Sequence, residues 1–205
     1  LGGMTPPART LSAEGIIPIA RILDSAGPMA RNLTDTLRLY SAMRDEPLPE
    51  LEPKETSSLR IAVNHANESC LSEEEKSFIR LVLDRLKKAG TAVGEVTQMP
   101  PPELVTIMKW EFRPMLESYL AASTASRKTL AEIVAYYEAH PDTMMKYGDS
   151  YLRAALDETP GGLQEKPYLD ALEVRKETIA RVTAEIEDYD AVLMTGPTYV
   201  MHFCG

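Results

Sequence analysis

The chain has 205 residues, of which 44% are hydrophobic and 26% charged, as is usual for a globular protein that can bury a core. Its net charge of −9 argues against a nucleic-acid partner, because binding to phosphate backbones depends on clustered Lys and Arg. It contains no signal-peptide pattern and no run of about 18 apolar residues, so we expect no membrane partner.

The N-terminal part of the chain has little periodicity. Residues 1–31 are rich in Gly, Pro and Ser and predict irregular structure. Residues 34–43 predict a short helix, because Leu33, Leu37 and Tyr40 fall on one face. Residues 45–58 are rich in Pro and Glu and predict an exposed connection.

Residues 59–100 predict a βαβ unit. The β-branched run at 59–65 is typical of a strand, and residues 91–98 predict a second one. Between them Ser72 and Glu75 form a capping box that opens an amphipathic helix, which Gly90 ends. A strand, a helix and a strand within about 40 residues indicate two parallel strands.

Residues 101–188 predict a largely helical region. One helix is expected at 101–122, with a kink at Pro114 and with Leu104, Met108, Phe112 and Tyr119 along one side. Thr129 with Glu132 opens another helix. A further helix is expected over 142–158 and a long amphipathic one over 166–188, with a break at "TPGG" between them.

The chain closes on an apolar run at 191–195, which predicts a strand that is central in a sheet and buried on both faces. The fold class predicted from these elements is therefore α/β. Such a strand needs more neighbours than the two other predicted strands supply. We therefore expect both ends of the chain to be cut. We also expect the chain to be only marginally folded or to self-associate through its exposed edges, with a homodimer as the form that would cover the last strand again.

The usual catalytic and metal-binding motifs are absent from the sequence: H-E-x-x-H, the P-loop, G-x-S-x-G and S-x-x-K. His65, His140 and His202 are far apart and lack metal-ligand spacing. No metal and no cofactor is expected. Two cysteines, Cys70 and Cys204, indicate reduced thiols in a cytoplasmic protein rather than a disulfide framework.

Single residues allow two interpretations each. His65 follows a strand at the end where α/β sites lie, or it is a turn histidine. Cys204 is a nucleophile, or a buried and inert thiol. Trp110 and the pair Tyr136–Tyr137 line a pocket, or belong to the core. In each case the second interpretation is the more common one for such residues.

The segment "GIIPIARILDSAGPMARNLTD" at residues 15–35 resembles a sequence block of the amidase signature family. The block's pattern is matched by ten residues: Gly15, Pro18, Asp24, Ser25, Gly27, Pro28, Met29, Ala30, Arg31 and Asp35. Residues 129–157 and 168–198 are also similar to the helical region and the following strand of bacterial amidases. The resemblance extends over nearly the whole chain. It implies that the strands are part of the family's mixed sheet flanked by helices, with a largely helical region at 101–188.

The resemblance implies a serine nucleophile, a second serine with a cis peptide bond and a lysine base. In the family these residues precede the block at 15–35, and they have no counterpart in this chain. The resemblance also implies that residues 15–35 pack in the interior of a complete amidase. We therefore expect that this chain alone is inactive, although the parent protein hydrolyses a carboxamide.

The resemblance further divides a single partial domain into four segments. Residues 1–58 are a packing segment and connection, 59–100 the βαβ unit, 101–188 a helical cover over the substrate and 189–205 a return strand. Gly196, Pro197 and Thr198 match the family's residues after the last strand and are the expected substrate-binding residues. The expected partner is a small-molecule amide. The alternative is a non-catalytic binding or assembly module on the same scaffold.

Overall fold

A computed structural model describes residues 2–44, 47, 52–66, 68–98, 100–159 and 162–194. The chain forms two compact units, one of Leu1–Glu50 with Pro102–Val174 and one of Leu51–Pro101 with Arg175–Gly205. None of the described helices combines the length and the apolar character needed to cross a lipid bilayer.

The helices and strands follow one another in a mixed α/β order, as predicted. They are β1 (Gly2–Gly3), β2 (Met29–Ala30), α1 (Leu33–Met43), β3 (Arg60–Asn64), α2 (Glu73–Lys88), β4 (Ala92–Val96), α3 (Glu103–Ala122), α4 (Leu130–Ala139), α5 (Pro141–Met144), α6 (Ser150–Asp157), α7 (Lys166–Ile186) and β5 (Ala191–Met194).

The predicted βαβ unit is confirmed. Strands β3 and β4 are parallel, with Arg60 opposite Ala92. The capping box is present, since the Ser72 hydroxyl accepts from the Glu75 amide at 3.2 Å and the Glu75 carboxylate accepts from the Ser72 amide at 2.8 Å. Gly90 follows α2 with a φ of 88°, the left-handed conformation that glycine adopts without strain.

The prediction of a central, doubly buried strand at 191–195 is wrong for the part of it that the structure describes. Strand β3, where Ala62 and Val63 are buried, is the central strand in the order β4-β3-β5. Within the described part of the sheet, β5 pairs in parallel with β3 and lies at one edge, where Met194 is 61% exposed. An apolar run alone does not distinguish an edge strand from a central one.

The carboxylate of Asp190 holds the chain in place directly before β5. The side chain of Asp190 accepts a hydrogen bond from the backbone amide of Arg60 at 2.9 Å and one from the Lys54 ammonium at 3.0 Å. These bonds, led by that of the Arg60 amide, lower the pKa of Asp190. The start of β5 is thereby tied to the start of β3 before the ladder between the two strands begins.

In the other unit, β1 and β2 form a small antiparallel pair that the sequence did not predict, because two-residue strands carry no periodicity. Helix α1 follows directly. Its N-cap is Asn32, whose side-chain oxygen accepts from the Asp35 amide at 2.9 Å. The buried Thr36 hydroxyl bonds the carbonyl of Gly2 at 3.1 Å, which holds α1 against β1.

Helices α3, α4 and α6 share one hydrophobic core, made by Leu116, Leu120, Leu130, Val134 and Ala155. The predicted capping box of Thr129 and Glu132 is confirmed at the start of α4. The prediction of one helix over 142–158 is wrong, because α5 and α6 are separate. Between them Gly148 has a φ of 74°, which is incompatible with a continuous helix.

A second cluster joins α3 to α7 through Ile107, Tyr168 and Ala171. Trp110 packs against this cluster, which favours its interpretation as a core residue. The Tyr168 hydroxyl donates to a carboxylate oxygen of Glu111 at 2.7 Å, and both side chains are buried. Burial of the phenol first, and then this carboxylate, raise the pKa of Tyr168 to about 12.

Candidate functional site

The segment that carries the family resemblance is held in shape by its own polar side chains. The Asp24 carboxylate accepts from the backbone amides of Ile19 at 2.8 Å and Ala20 at 3.1 Å. The Ser25 hydroxyl donates to the carbonyl of Pro6. Both side chains are thus engaged with the backbone, so they shape this segment and are not placed for nucleophilic chemistry.

Gly27 allows two backbone segments to touch. A Cβ atom at this position would lie 1.9 Å from the carbonyl oxygen of Met4. The Met4 amide donates to the carbonyl of Pro28 at 3.0 Å, directly beside this contact. Any side chain at residue 27 would therefore push the segment away from Met4, the residue that follows β1.

Residues of this segment border two cavities in the part of the unit that the structure describes. The first, which we call the motif cavity, has a volume of about 720 Å³ and is bordered by residues of the segment 9–26 and by the C-terminal half of α3. Polar groups on its wall include Arg9, Ser12 and Asp24, while Ile16 and Ile17 contribute exposed apolar surface.

The second cavity lies between α3 and α6 and has a volume of about 730 Å³. We call it the α3–α6 cavity. Its wall is mainly apolar, with Val105, Met108 and Phe112 from α3 facing Leu152 and Ala154 from α6. Both volumes fall in the range of about 300–1,000 Å³ that is usual for small-molecule sites.

One face of α3 borders both cavities. Val105, Met108 and Phe112 line the α3–α6 cavity, and Met115 and Tyr119 line the motif cavity. These positions are three or four residues apart, so their side chains form a single stripe along the helix. Ile19, from the segment with the family resemblance, lies at the wall of each cavity.

The α3–α6 cavity contains one ion pair. Lys109 donates to the Glu158 carboxylate at 2.5 Å, and its side chain is 27% exposed while that of Glu158 is 59% exposed. The two charges compensate each other, so the wall presents a neutral, apolar surface. Such a wall suits an uncharged hydrophobic group.

The expected substrate-binding residues Gly196, Pro197 and Thr198 lie outside the described residues, as do His202 and Cys204. His65 comes directly after β3. Its amide donates to the carbonyl of Val96 at 3.1 Å, and its Nδ1 lies 2.9 Å from the carboxylate of Glu68, which favours the interpretation as a turn histidine.

The tyrosine pair of α4 is partly buried. The ring of Tyr136 lies 4.1 Å from that of His140 between centroids, and the Arg127 guanidinium lies 3.6 Å from its centre. Within the described part of the chain, no cluster of three or more His, Cys, Asp or Glu residues could hold a metal ion.

The sequence predicts part of the apolar stripe of α3 but not the two cavities that the stripe borders. The pattern predicts Leu104, Met108, Phe112 and Tyr119 along one side of a helix, which includes three of the five stripe residues. Leu104 instead packs against the cluster that joins α3 to α7. Amphipathic spacing predicts which side is apolar, and it is the same whether that side meets another helix or borders a cavity. Opposite the stripe, α6 carries the small residues Ser150 and Ala154. Their small side chains are the sequence feature that indicates room for a cavity at this place.

The family model described as "Amidase" matches residues 1–201 of the chain. No curated protein matches it significantly. Among solved structures, an amidase family protein from Bacillus anthracis str. Ames superposes with a TM-score of 0.76 at 18% identity, over 94% of this chain and 42% of that protein.

The native peptide amidase of Stenotrophomonas maltophilia gives a TM-score of 0.74 at 21% identity, over 92% of this chain and 44% of that one. The peptide amidase PAM in complex with the competitive inhibitor chymostatin gives 0.75 at 21% identity, over 94% and 44%. This chain thus spans less than half the length of these structures, which share its fold. With the family match over residues 1–201, the chain belongs to the amidase family.

Proposed function

We propose that this chain contributes the substrate-binding part of an enzyme that hydrolyses carboxamides. In such an enzyme a serine attacks the amide carbonyl, the amine leaves, and water releases the acid from the acyl-enzyme. Backbone or side-chain donors stabilise the oxyanion of the tetrahedral intermediate. The observation that carries the proposal is the family match over residues 1–201, which includes the segment that borders both cavities.

The geometry of the helical region supports a role in substrate binding. Residues 101–188 were expected to cover the substrate, and α3 and α6 from this region form most of the wall of the α3–α6 cavity. We also propose that the chain is a single partial domain in which residues 101–188 form the cover over the substrate. Gly196, Pro197 and Thr198 are proposed as further substrate-binding residues on the family resemblance alone.

We propose that the 205-residue chain alone does not hydrolyse amides. The serine and lysine residues that the family resemblance implies have no counterpart in its sequence. Purified chain should release no ammonia or amine from a panel of aliphatic and aryl amides. Turnover above background that a serine-directed covalent inhibitor abolishes would contradict this proposal.

The sequence of the gene upstream of Leu1 tests the amidase function itself. An upstream lysine and a stretch rich in Gly and Ser would supply the three catalytic residues, and the longer product should hydrolyse one of the amides in the panel. Loss of that activity after replacement of the nucleophilic serine by Ala would support the proposal. A longer product that carries these residues and hydrolyses no amide would contradict it.

The alternative function is a non-catalytic binding or assembly module on the amidase scaffold. An initiator Met immediately before Leu1 would favour this alternative, because the catalytic residues would then be absent from the gene product. If the chain is part of an amidase, its proposed partner is a small-molecule amide. We also propose a cytoplasmic location, from the two cysteines of the sequence, and a homodimer, from the edge strand β5 of the described sheet.

A further inference from the structure

We infer that the α3–α6 cavity binds the apolar part of uncharged substrates, and that the partly exposed Lys109–Glu158 pair sets its selectivity against anions. The inference rests on the proposed function, because it names the substrate class of the same site. It adds two specificity-determining residues to a cavity that has no assigned ligand.

The first step of the argument is the size and chemistry of the wall. A volume of about 730 Å³ exceeds what a single methyl or ethyl group would fill. Phe112, Met108 and Val105 offer a continuous apolar surface on one side. An aromatic ring or a branched alkyl chain placed there would bury apolar surface, which is favourable at roughly 25 cal/mol per Å².

The second step concerns the two charges. The Lys109 ammonium is bonded to the Glu158 carboxylate at 2.5 Å, so the cation is already neutralised by the protein. A ligand carboxylate would meet the Glu158 charge and would have to displace it from Lys109. A neutral group leaves the pair intact, and it therefore binds with less electrostatic opposition.

The third step is that the ligand does not have to enter a closed core. Val105 is 54% exposed, Met108 38% and Ile19 47%, so apolar surface continues from the wall of the cavity to solvent. A long ligand can therefore seat its apolar end inside while the rest of the molecule remains outside. This arrangement fits the side chain or acyl chain of an amide better than a whole small substrate.

The test compares 4-phenylbutyramide with 4-phenylbutyrate, two probes with the same apolar part and different charge. Binding to the full 205-residue chain is measured by chemical-shift titration, without any readout of hydrolysis. We expect the chain to bind the amide more tightly than the carboxylate. Equal affinities, or tighter binding of the carboxylate, would overturn the inference.

The variant Glu158→Gln releases Lys109 and should reverse the preference. The ratio of the two affinities should move toward the carboxylate by about tenfold, as a newly formed charge-assisted hydrogen bond can provide. Glu138→Gln is the matched control, because Glu138 pairs with Arg153 and lies outside the cavity wall. An unchanged ratio in Glu158→Gln, or an equal shift in both variants, would contradict the role of the pair.

A second variant tests the location. Ala154→Leu places a larger side chain in the cavity and should weaken both probes several-fold, whereas Ala135→Leu, at an exposed position of α4, should leave them unchanged. Thermal melts check that both variants fold, and the exposed Glu158 provides a test that does not disturb the core. Since no outcome depends on turnover, a failure of this inference is distinguishable from a failure of the proposed amidase function.

Discussion

The hydroxyl of Tyr168 in α7 donates a 2.7 Å hydrogen bond to Glu111 in α3, and the two residues are 6% and 3% exposed. The second carboxylate oxygen of Glu111 is buried and has no hydrogen-bond partner among the described residues. The hydrogen bond from Tyr168 therefore offsets part of the free-energy cost of burying this carboxyl group between the two helices.

Replacing Tyr168 with Phe should destabilise the chain. The variant keeps the ring but leaves the buried Glu111 side chain without its hydrogen-bond donor, which costs about 1–3 kcal/mol in the free energy of unfolding. Urea denaturation measures the change. Tyr147→Phe is the control: Tyr147 is 76% exposed, so this variant should lose little stability. Equal midpoints for the two variants would show that the bond does not contribute to stability.

The same pair predicts a fall in stability at alkaline pH. The pKa of Tyr168 is raised from 10.0 to about 12 by burial and by Glu111. Because the folded state holds the phenolic proton more tightly than the unfolded chain, stability is full below pH 10 and decreases as the pH rises from 10 toward 12. The titration of Tyr168 should lower the free energy of unfolding by about 2–3 kcal/mol over this range.

The measurement for this prediction is the free energy of unfolding at pH 9, 10, 11 and 12, in the unmodified chain and in Tyr168→Phe. Other tyrosines and lysines titrate in both proteins, so the difference between the two curves isolates Tyr168. That difference should shrink as the pH rises from 10 to 12. A difference that stays constant would contradict the raised pKa.

The family segment gives a third prediction. Gly27→Ala should destabilise the unit that contains it, because the new methyl group would lie 1.9 Å from the Met4 carbonyl oxygen and the backbone must move. A loss of about 1–3 kcal/mol is expected for such overpacking. Gly2→Ala is the control, since its Cβ would meet the nearest atom at 3.5 Å. Comparable thermal melts for both variants would contradict the tight contact.

The sequence predicts local structure well where local chemistry decides it. The capping boxes at Ser72 and Thr129 and the stop at Gly90 depend on residues within one helical turn, and each is present. The break at Gly148 was missed, because an isolated Gly is also tolerated inside a helix and the surrounding residues have helical spacing. Tertiary context, which the periodicity does not contain, separates α5 from α6.

The candidate site was less predictable for a different reason. The family resemblance identified the segment 15–35, yet Asp24 and Ser25 are engaged with backbone groups that are not recognisable from spacing. The pairing of Lys109 with Glu158 joins residues 49 positions apart in the sequence. Contacts of this kind depend on how α3 and α6 pack, so the sequence predicts part of the apolar stripe of α3 but not the cavity that it borders.

The edge of the three-stranded sheet yields the last prediction, self-association of the chain. Among the described residues, β5 pairs with β3 only, and its other side offers backbone donors and acceptors to a second copy. Met194 at the end of this strand is 61% exposed, so Met194→Lys should fold normally. A charge on an edge strand opposes pairing with another chain, and the variant should shift the monomer–dimer equilibrium toward monomer.

Sedimentation velocity at several concentrations measures this shift. Leu81→Lys is the control, because it removes an exposed apolar side chain of α2 without changing the edge. A chain that is monomeric at all concentrations, or an equal shift in both variants, would show that β5 does not mediate association.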